Sequence, residues 1–278
     1  MNIKSEIAKL LNVVREKSPL VHHITNYVTV NDCANIVLAI GASPVMADEI
    51  EEVLDMVSIA NTLIINMGTL NKRTVESMLV AGKKANELGI PVVFDPVGVG
   101  ATEYRTKTAR KILDEVKISV LTGNISEIKV IAGLGGATKG VDASEEDMAG
   151  FENLDGVGKL ASSLAQELDC VVGITGAIDI ISDGHKTFSV HNGHEMLSTI
   201  TGTGCMCTSL IGSFCGATDD YLNAVTAGTV SMGVGGERAY EALKAENIGS
   251  GSFRVKLIDL VFNRSSEDLA EEAKIYEM

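Results

Sequence analysis

The 278-residue sequence predicts an α/β fold in a single domain spanning 1–278. The fold has a mainly parallel central sheet, an antiparallel edge hairpin and helices on both faces. Three observations predict it. Short apolar runs at 62–67, 91–95, 118–122 and 170–175 alternate with segments of helical period, and strands without polar alternation are buried on both faces, as in parallel sheets built from βαβ units. Asp183-Gly184 parts two further short runs, 178–182 and 186–190, the signature of a tight hairpin. Thr201-Gly202-Thr203-Gly204-Cys205 is a sharp glycine turn that runs into small and apolar residues out to Ala217, the pattern of a turn opening a buried helix. No Pro/Ser-rich linker or low-complexity run divides the chain, so one domain is expected.

In order along the chain, 3–17 is an amphipathic helix with Ile3, Ile7, Leu10, Leu11 and Val14 on one side. The His-rich stretch 19–26 is a polar junction. Residues 28–40 form a helix that ends at Gly41 as a C-cap, and 41–46 make a turn into an acidic helix start at Asp48. Strand 62–67 closes at Gly68. Helix 71–88, strand 91–95, helix 104–116 and strand 118–122 follow. An acidic, Gly-rich region, 133–158, reads as solvated surface. Helix 159–168 leads to strand 170–175 and the hairpin. Residues 219–244 form a long helix whose Ala, Gly, Ser and Thr allow close packing. The tail, 253–277, is helical with an interruption near 263–266.

Lys and Arg number 23 against 37 Asp and Glu, a net charge of −14, which argues against non-specific nucleic-acid binding. The N-terminal stretch lacks a continuous apolar core, and no apolar run approaches the ~18 residues of a membrane span. The five cysteines, Cys33, Cys170, Cys205, Cys207 and Cys215, are an odd, scattered set that reads as reduced thiols in a cytoplasmic protein. Neither Cys205-x-Cys207 nor His191-x-x-His194 makes a convincing metal pair. Cys33, Cys170 and Cys215 read as core thiols, and His22 and His23 as hydrogen-bonded residues near the mouth of a site.

Open parallel sheets bind ligands outside the carboxyl ends of their strands. Asn66, Gly68, Asp95, 122–127 and Thr175 all fall on that edge. The turn Gly202, Thr203, Gly204, Cys205 reads equally as a tight turn before a core helix or as an anion hole, the latter because orphan N–H groups and the positive end of the helix dipole point the same way. A thiol at Cys205 would have its thiolate stabilised by that dipole, making it a potential base. Asp95 and Glu127, on successive strand ends, offer two hard oxygen ligands to Mg²⁺. They have structural readings as well: an Asx turn before Pro96, and a capping box of Asn124 with Glu127. Met46 reads from its own chemistry as core.

Taken in order, His23-Ile-Thr-Asn26-x-Val-x-x-Asn31-x-x-Ala-Asn35, Gly41-Ala-Ser-Pro-x-Met46, Asn66-x-Gly-Thr-Leu70, Asp95-Pro-Val-Gly-Val-Gly-Ala-Thr102, Gly123-Asn-x-Ser-Glu127, Asn192-Gly-His194, Ile200-Thr-Gly-Thr-Gly-Cys205 and Phe253-Arg254 resemble the hydroxyethylthiazole kinases of the ribokinase-like superfamily. The resemblance implies transfer of the γ-phosphoryl of ATP to the primary alcohol of 4-methyl-5-(2-hydroxyethyl)thiazole, with Mg²⁺, in thiamine salvage. It implies a homotrimer with the thiazole held near a subunit boundary. Asn26, Met46 and Gly68 would line the thiazole pocket, Gly202 would lie near the reacting hydroxyl, and Thr175 and Asn124 would serve ATP. Cys205 would be the catalytic residue, where most of the superfamily has aspartate. Thr122 stands where the family usually has an arginine that touches the ATP phosphates. Two other readings stay open on sequence grounds. One is a superfamily lyase that dehydrates hydrated nicotinamide cofactors, though such lyases carry aspartate at the Cys205 position. The other is a catalytically silent nucleotide-binding module. The motif from Asn26 to Met46 favours the kinase.

Overall fold

A computed structural model describes residues 3–134, 154–246 and 249–278. The acidic segment expected as solvated surface lies largely outside the described residues. Nine strands form one sheet in the order β2-β1-β3-β4-β5-β6-β7-β8-β9. They are β1 (Leu20–Ile24), β2 (Ser43–Met46), β3 (Thr62–Asn66), β4 (Val92–Asp95), β5 (Val120–Asn124), β6 (Val171–Thr175), β7 (Asp179–Ser182), β8 (Thr187–Val190) and β9 (Ile275–Glu277). From β2 to β6 all pairing is parallel. The last three strands add antiparallel pairs, so the expected hairpin is present, built on the Asp183-Gly184 turn.

Each parallel strand sends alternate residues to opposite faces. Val21, Ile64, Val93, Val120 and Val171 join one core. It is shared with helices α1 (Ile3–Lys17), α2 (Val30–Ile40), α8 (Thr203–Cys215), α9 (Tyr221–Glu246), α10 (Ser250–Asn263) and α11 (Ser266–Glu272). Ile24, Leu63, Ile65, Phe94, Leu121 and Val172 join the other core. It is shared with α3 (Val53–Ile59), α4 (Lys72–Leu88), α5 (Glu103–Glu115), α6 (Ile125–Ile131) and α7 (Leu154–Leu168). Helix α8 is pressed between sheet and α9: a Cβ on Gly212 would lie 2.5 Å from Ile64 Cδ1, and one on Gly228 2.7 Å from the Ile211 backbone nitrogen. Glycine at both contacts allows that approach.

Three expectations need correction. The supposed His-rich junction is β1, flanked by β2 and β3 within the sheet. Its polar look misleads because the imidazoles of His22 and His23, 0% and 1% exposed, find partners inside. His22 Nε2 meets the Ala47 carbonyl at 2.7 Å, and His23 Nε2 meets Ser209 Oγ at 3.2 Å. The supposed turn before Met46 is the edge strand β2, where Pro44 is tolerated. The tail does break after Asn263 as expected, but it ends in β9, which pairs with β8.

Candidate active site at the carboxyl edge of the sheet

Strands β1 to β6 all end on one edge, at Ile24, Met46, Asn66, Asp95, Asn124 and Thr175. Asn66 is in register with Asp95, and Asn124 with Thr175. Above that edge α8 begins. Gly202 is its N-cap, left-handed at φ +88 with no side-chain cap, a conformation that suits glycine. The first backbone bond of the helix runs from Met206 N to the Gly202 carbonyl at 2.8 Å, so the amides of Thr203, Gly204 and Cys205 lie before the helical ladder, where a helix receives anions.

Beneath the turn lies a chain of side-chain hydrogen bonds. Asn26 Nδ2 donates to Asn66 Oδ1 at 2.9 Å and to Cys205 Sγ at 3.4 Å. Asn66 Nδ2 donates to Asp95 Oδ2 at 2.9 Å and to Cys205 Sγ at 3.3 Å. Thr208 Oγ1 donates to the same Asp95 oxygen at 2.9 Å. The Gly68 amide donates to Asn66 Oδ1 at 2.9 Å, and a Cβ on Gly68 would sit 2.5 Å from Asn26 Cβ. Asn26, Gly68, Asp95, Gly202 and Cys205 are therefore brought together. Met46, half-buried, lies in register with His23 at the end of β2.

The Cys205 thiol differs from expectation. Burial, first, and the Asp95 charge push it up to about 12, so the helix start does not hold a thiolate there. Asp95 and Glu127 are both pushed upward, by burial above all and, for Glu127, by the charge of Asp95. Glu127 accepts the Gly98 amide at 2.7 Å and the Asn124 amide at 2.9 Å. Asn124 Oδ1 in turn accepts the Glu127 amide at 3.0 Å, so the capping box exists. The side-chain hydrogen bonds to Asp95 from Asn66 and Thr208 both end on Oδ2. Two buried acids of raised proton affinity, one with a carboxylate oxygen not engaged by Asn66 or Thr208, fit a divalent cation. No cluster of three or more His, Cys, Asp or Glu is placed to hold a metal among the described residues, and Mg²⁺ typically uses one or two carboxylates with phosphate and water completing its shell.

Thr175 and Asn124 are half-buried neighbours at the ends of β6 and β5. Thr122 is 2% exposed, and a Cβ on Gly173 would lie 3.7 Å from its hydroxyl oxygen, so it sits within the sheet rather than at its rim. The sequence reading gave no role to Thr208, three residues after Cys205 and so on the same helix face. It also missed Arg105. The Arg105 guanidinium donates to the carbonyls of Met67 (2.5 Å), Val97 (2.6 Å) and Gly68 (2.6 Å), fastening the loop after β3 to the loop after β4. The Ala101-Thr102 helix start three to four residues earlier gives little hint of it.

The model of the Hydroxyethylthiazole kinase family matches residues 11–267. The chain is 58% identical to the hydroxyethylthiazole kinase of Clostridium beijerinckii, over 99% of both chains. It is 55% identical to that of Ruminiclostridium cellulolyticum, over 98% of both. The solved structure of the hydroxyethylthiazole kinase protein from Pyrococcus horikoshii superimposes with a TM-score of 0.87 at 42% identity, covering 98% of this chain and 99% of that one. Staphylococcus aureus pyridoxal kinase shares the fold, with a TM-score of 0.56 at 15% identity over 77% of this chain and 85% of that one. With its sheet edge, glycine turn and near-complete identity spans in agreement, the chain belongs to the hydroxyethylthiazole kinase family.

Proposed function

We propose that the chain phosphorylates the primary alcohol of 4-methyl-5-(2-hydroxyethyl)thiazole with ATP, in the cytoplasm, as a step of thiamine salvage. The observation that carries this is the hydrogen-bonded series Asn26–Cys205–Asn66–Asp95, which joins the acceptor pocket to the anion turn and the acidic pair. Asn26, Met46 and Gly68 hold the thiazole, and Gly202 lies at its hydroxyl. The amides of Gly202, Thr203, Gly204 and Cys205 receive the charge that builds on the γ-phosphoryl oxygens. Thr175 and Asn124 position ATP from the rim, with Thr122 beneath them. The alcohol oxygen forms its bond to the γ-phosphorus as the bond to the β,γ-bridging oxygen breaks. Such a transfer is mostly positioning and charge stabilisation, and the hydroxyl proton leaves late, to an oxygen of the transferred phosphoryl group.

Asp95 and Glu127 would hold Mg²⁺, which supplies charge neutralisation to the nucleotide phosphates. The Cys205 thiol, protonated at rest, orients the alcohol; the removal of a proton by a resident thiolate is not supported by its raised pKa. Tyr27 and Val28, 78% and 56% exposed beside Asn26, supply the apolar surface that a subunit boundary at the pocket requires. They fit a subunit contact in the homotrimer that the family resemblance implies, which a sedimentation mass of one subunit would exclude.

A coupled assay for ADP release tests the reaction. Turnover is expected with thiazole alcohol and added Mg²⁺, and not with a pyrimidine alcohol or after chelation. Dehydration of a hydrated nicotinamide cofactor, or binding of ATP without any turnover, would replace the kinase reading with the lyase or the silent module.

A further inference from the structure

Thr29 precedes α2 at its N-cap, a position where a threonine hydroxyl ordinarily accepts a hydrogen bond from the first helical turn. Here no side-chain cap forms. The hydroxyl turns the other way and donates to Asn26 Oδ1 at 3.1 Å. The Val28 and Thr29 amides donate to the same oxygen at 3.1 and 3.0 Å. Three donors on one oxygen settle which end of the Asn26 amide is which, since only the carbonyl end can accept them. The opposite end, Nδ2, is thereby delivered to Asn66 and Cys205.

The other branch of the same side chain faces the anion turn. A Cβ built on Gly202 would lie 2.4 Å from Thr29 Cγ2 and 3.0 Å from its Cβ. The methyl group occupies the space that any side chain at 202 would need. Thr29 is 3% exposed, and its hydroxyl also accepts from Cys33 Sγ at 3.7 Å. One small side chain, 173 positions away in sequence, thus touches both walls of the site. The forgone helix cap is the sign that its hydroxyl is committed elsewhere.

We propose that Thr29 is a positioning residue that registers the acceptor loop 25–29 against the anion turn 202–205, its hydroxyl fixing the Asn26 amide and its methyl seating Gly202. The inference rests on the kinase reaction proposed above. The two branches have separable consequences. Thr29→Val keeps the methyl and removes the hydroxyl. Thr29→Ser keeps the hydroxyl and removes the methyl.

Steady-state kinetics and iodoacetamide labelling of Cys205, followed on its peptide by mass spectrometry, read the two branches. Thr29→Val is expected to raise KM for the thiazole alcohol about fivefold with kcat within about twofold, as loss of one neutral hydrogen bond to a substrate-holding group would. Its Cys205 labelling rate should match the parent. Thr29→Ser is expected to lower kcat about fivefold with KM for the alcohol little changed, and to label Cys205 several times faster, because the turn loses its seat. Parent-like values for both variants in every readout would overturn the proposal. So would matching losses of kcat and melting temperature in both variants with no split between them, since that describes a packing residue. Should the parent itself fail to turn over the alcohol, the reaction assignment falls while the labelling rates still judge Thr29.

Discussion

At Cys205 two effects compete, and their sizes decide the chemistry. A helix start lowers a nearby thiol, but burial and the adjacent Asp95 charge leave this one at about 12. A thiol that stays protonated can still orient a hydroxyl, because S–H donates weakly and sulfur accepts weakly. Cys205→Ser is therefore expected to retain most of kcat, whereas Cys205→Ala loses about tenfold, the lower range for a misplaced nucleophile. The kcat–pH profile should carry no thiol inflection between about pH 6 and 9. An unchanged rate in the alanine variant would remove Cys205 from the mechanism. A serine variant as poor as alanine, with a thiol inflection in the parent, would restore it as the base.

At the scale of elements, β1 carries a pH-dependent contribution to stability. His23 is fully buried against Ser209, and its pKa is lowered to about 4, first by desolvation and then by the neighbouring His22, against a hydrogen bond to the Val21 carbonyl. Above the unfolded value near 6.5 both states hold a neutral imidazole, and the native state keeps its full advantage. As pH falls from about 6.5 through 4, the unfolded chain takes up a proton that the native strand refuses. Stability is lost over that window, by ~3 kcal/mol in total. Urea melts of the parent and of His23→Gln across pH 4 to 7 should show a smaller slope in the variant. Equal slopes would mean His23 is not the group responsible.

The same strand shows where sequence reading stops. The long apolar strands, the βαβ rhythm and the Asp-Gly hairpin were legible because period and turn chemistry are local. Strand β1 was not, because two imidazoles look solvated until their partners, Ala47 and Ser209, arrive from other elements. Strand β9 was not, because three residues after a helix carry no usable period. Asp95 and the glycine turn could be picked out as chemistry-bearing residues. Thr29, Thr208 and Arg105 could not, since each acts through contacts that exist only once the chain has folded. The direction of the Cys205 shift was misjudged for a related reason: the dipole is written in the helix, while the burial and the charge that oppose it belong to the tertiary structure.

For the molecule as a whole, the sheet grows from a parallel half that carries the site into an antiparallel half that closes it off. Residues 274–278 line the outer side of β8, with the His191 amide bonded to the Lys274 carbonyl and the Met278 amide to the Thr187 carbonyl at 2.8 and 2.9 Å. The segment is anchored by Asn192, which donates to the Glu272 carbonyl at 3.0 Å and accepts the Lys274 amide at 2.8 Å. Strand β9 is three residues long, too short to offer a stranger much to grip, and it screens the longer β8. Deleting 274–278 would bare a row of unsatisfied amides and carbonyls, the kind of template on which foreign strands add. Light scattering of the shortened protein should then report higher-order particles that grow with concentration. A truncated chain that remains as dispersed as the parent would mean that the last few residues do not act as a guard against fibrous or amorphous clumping.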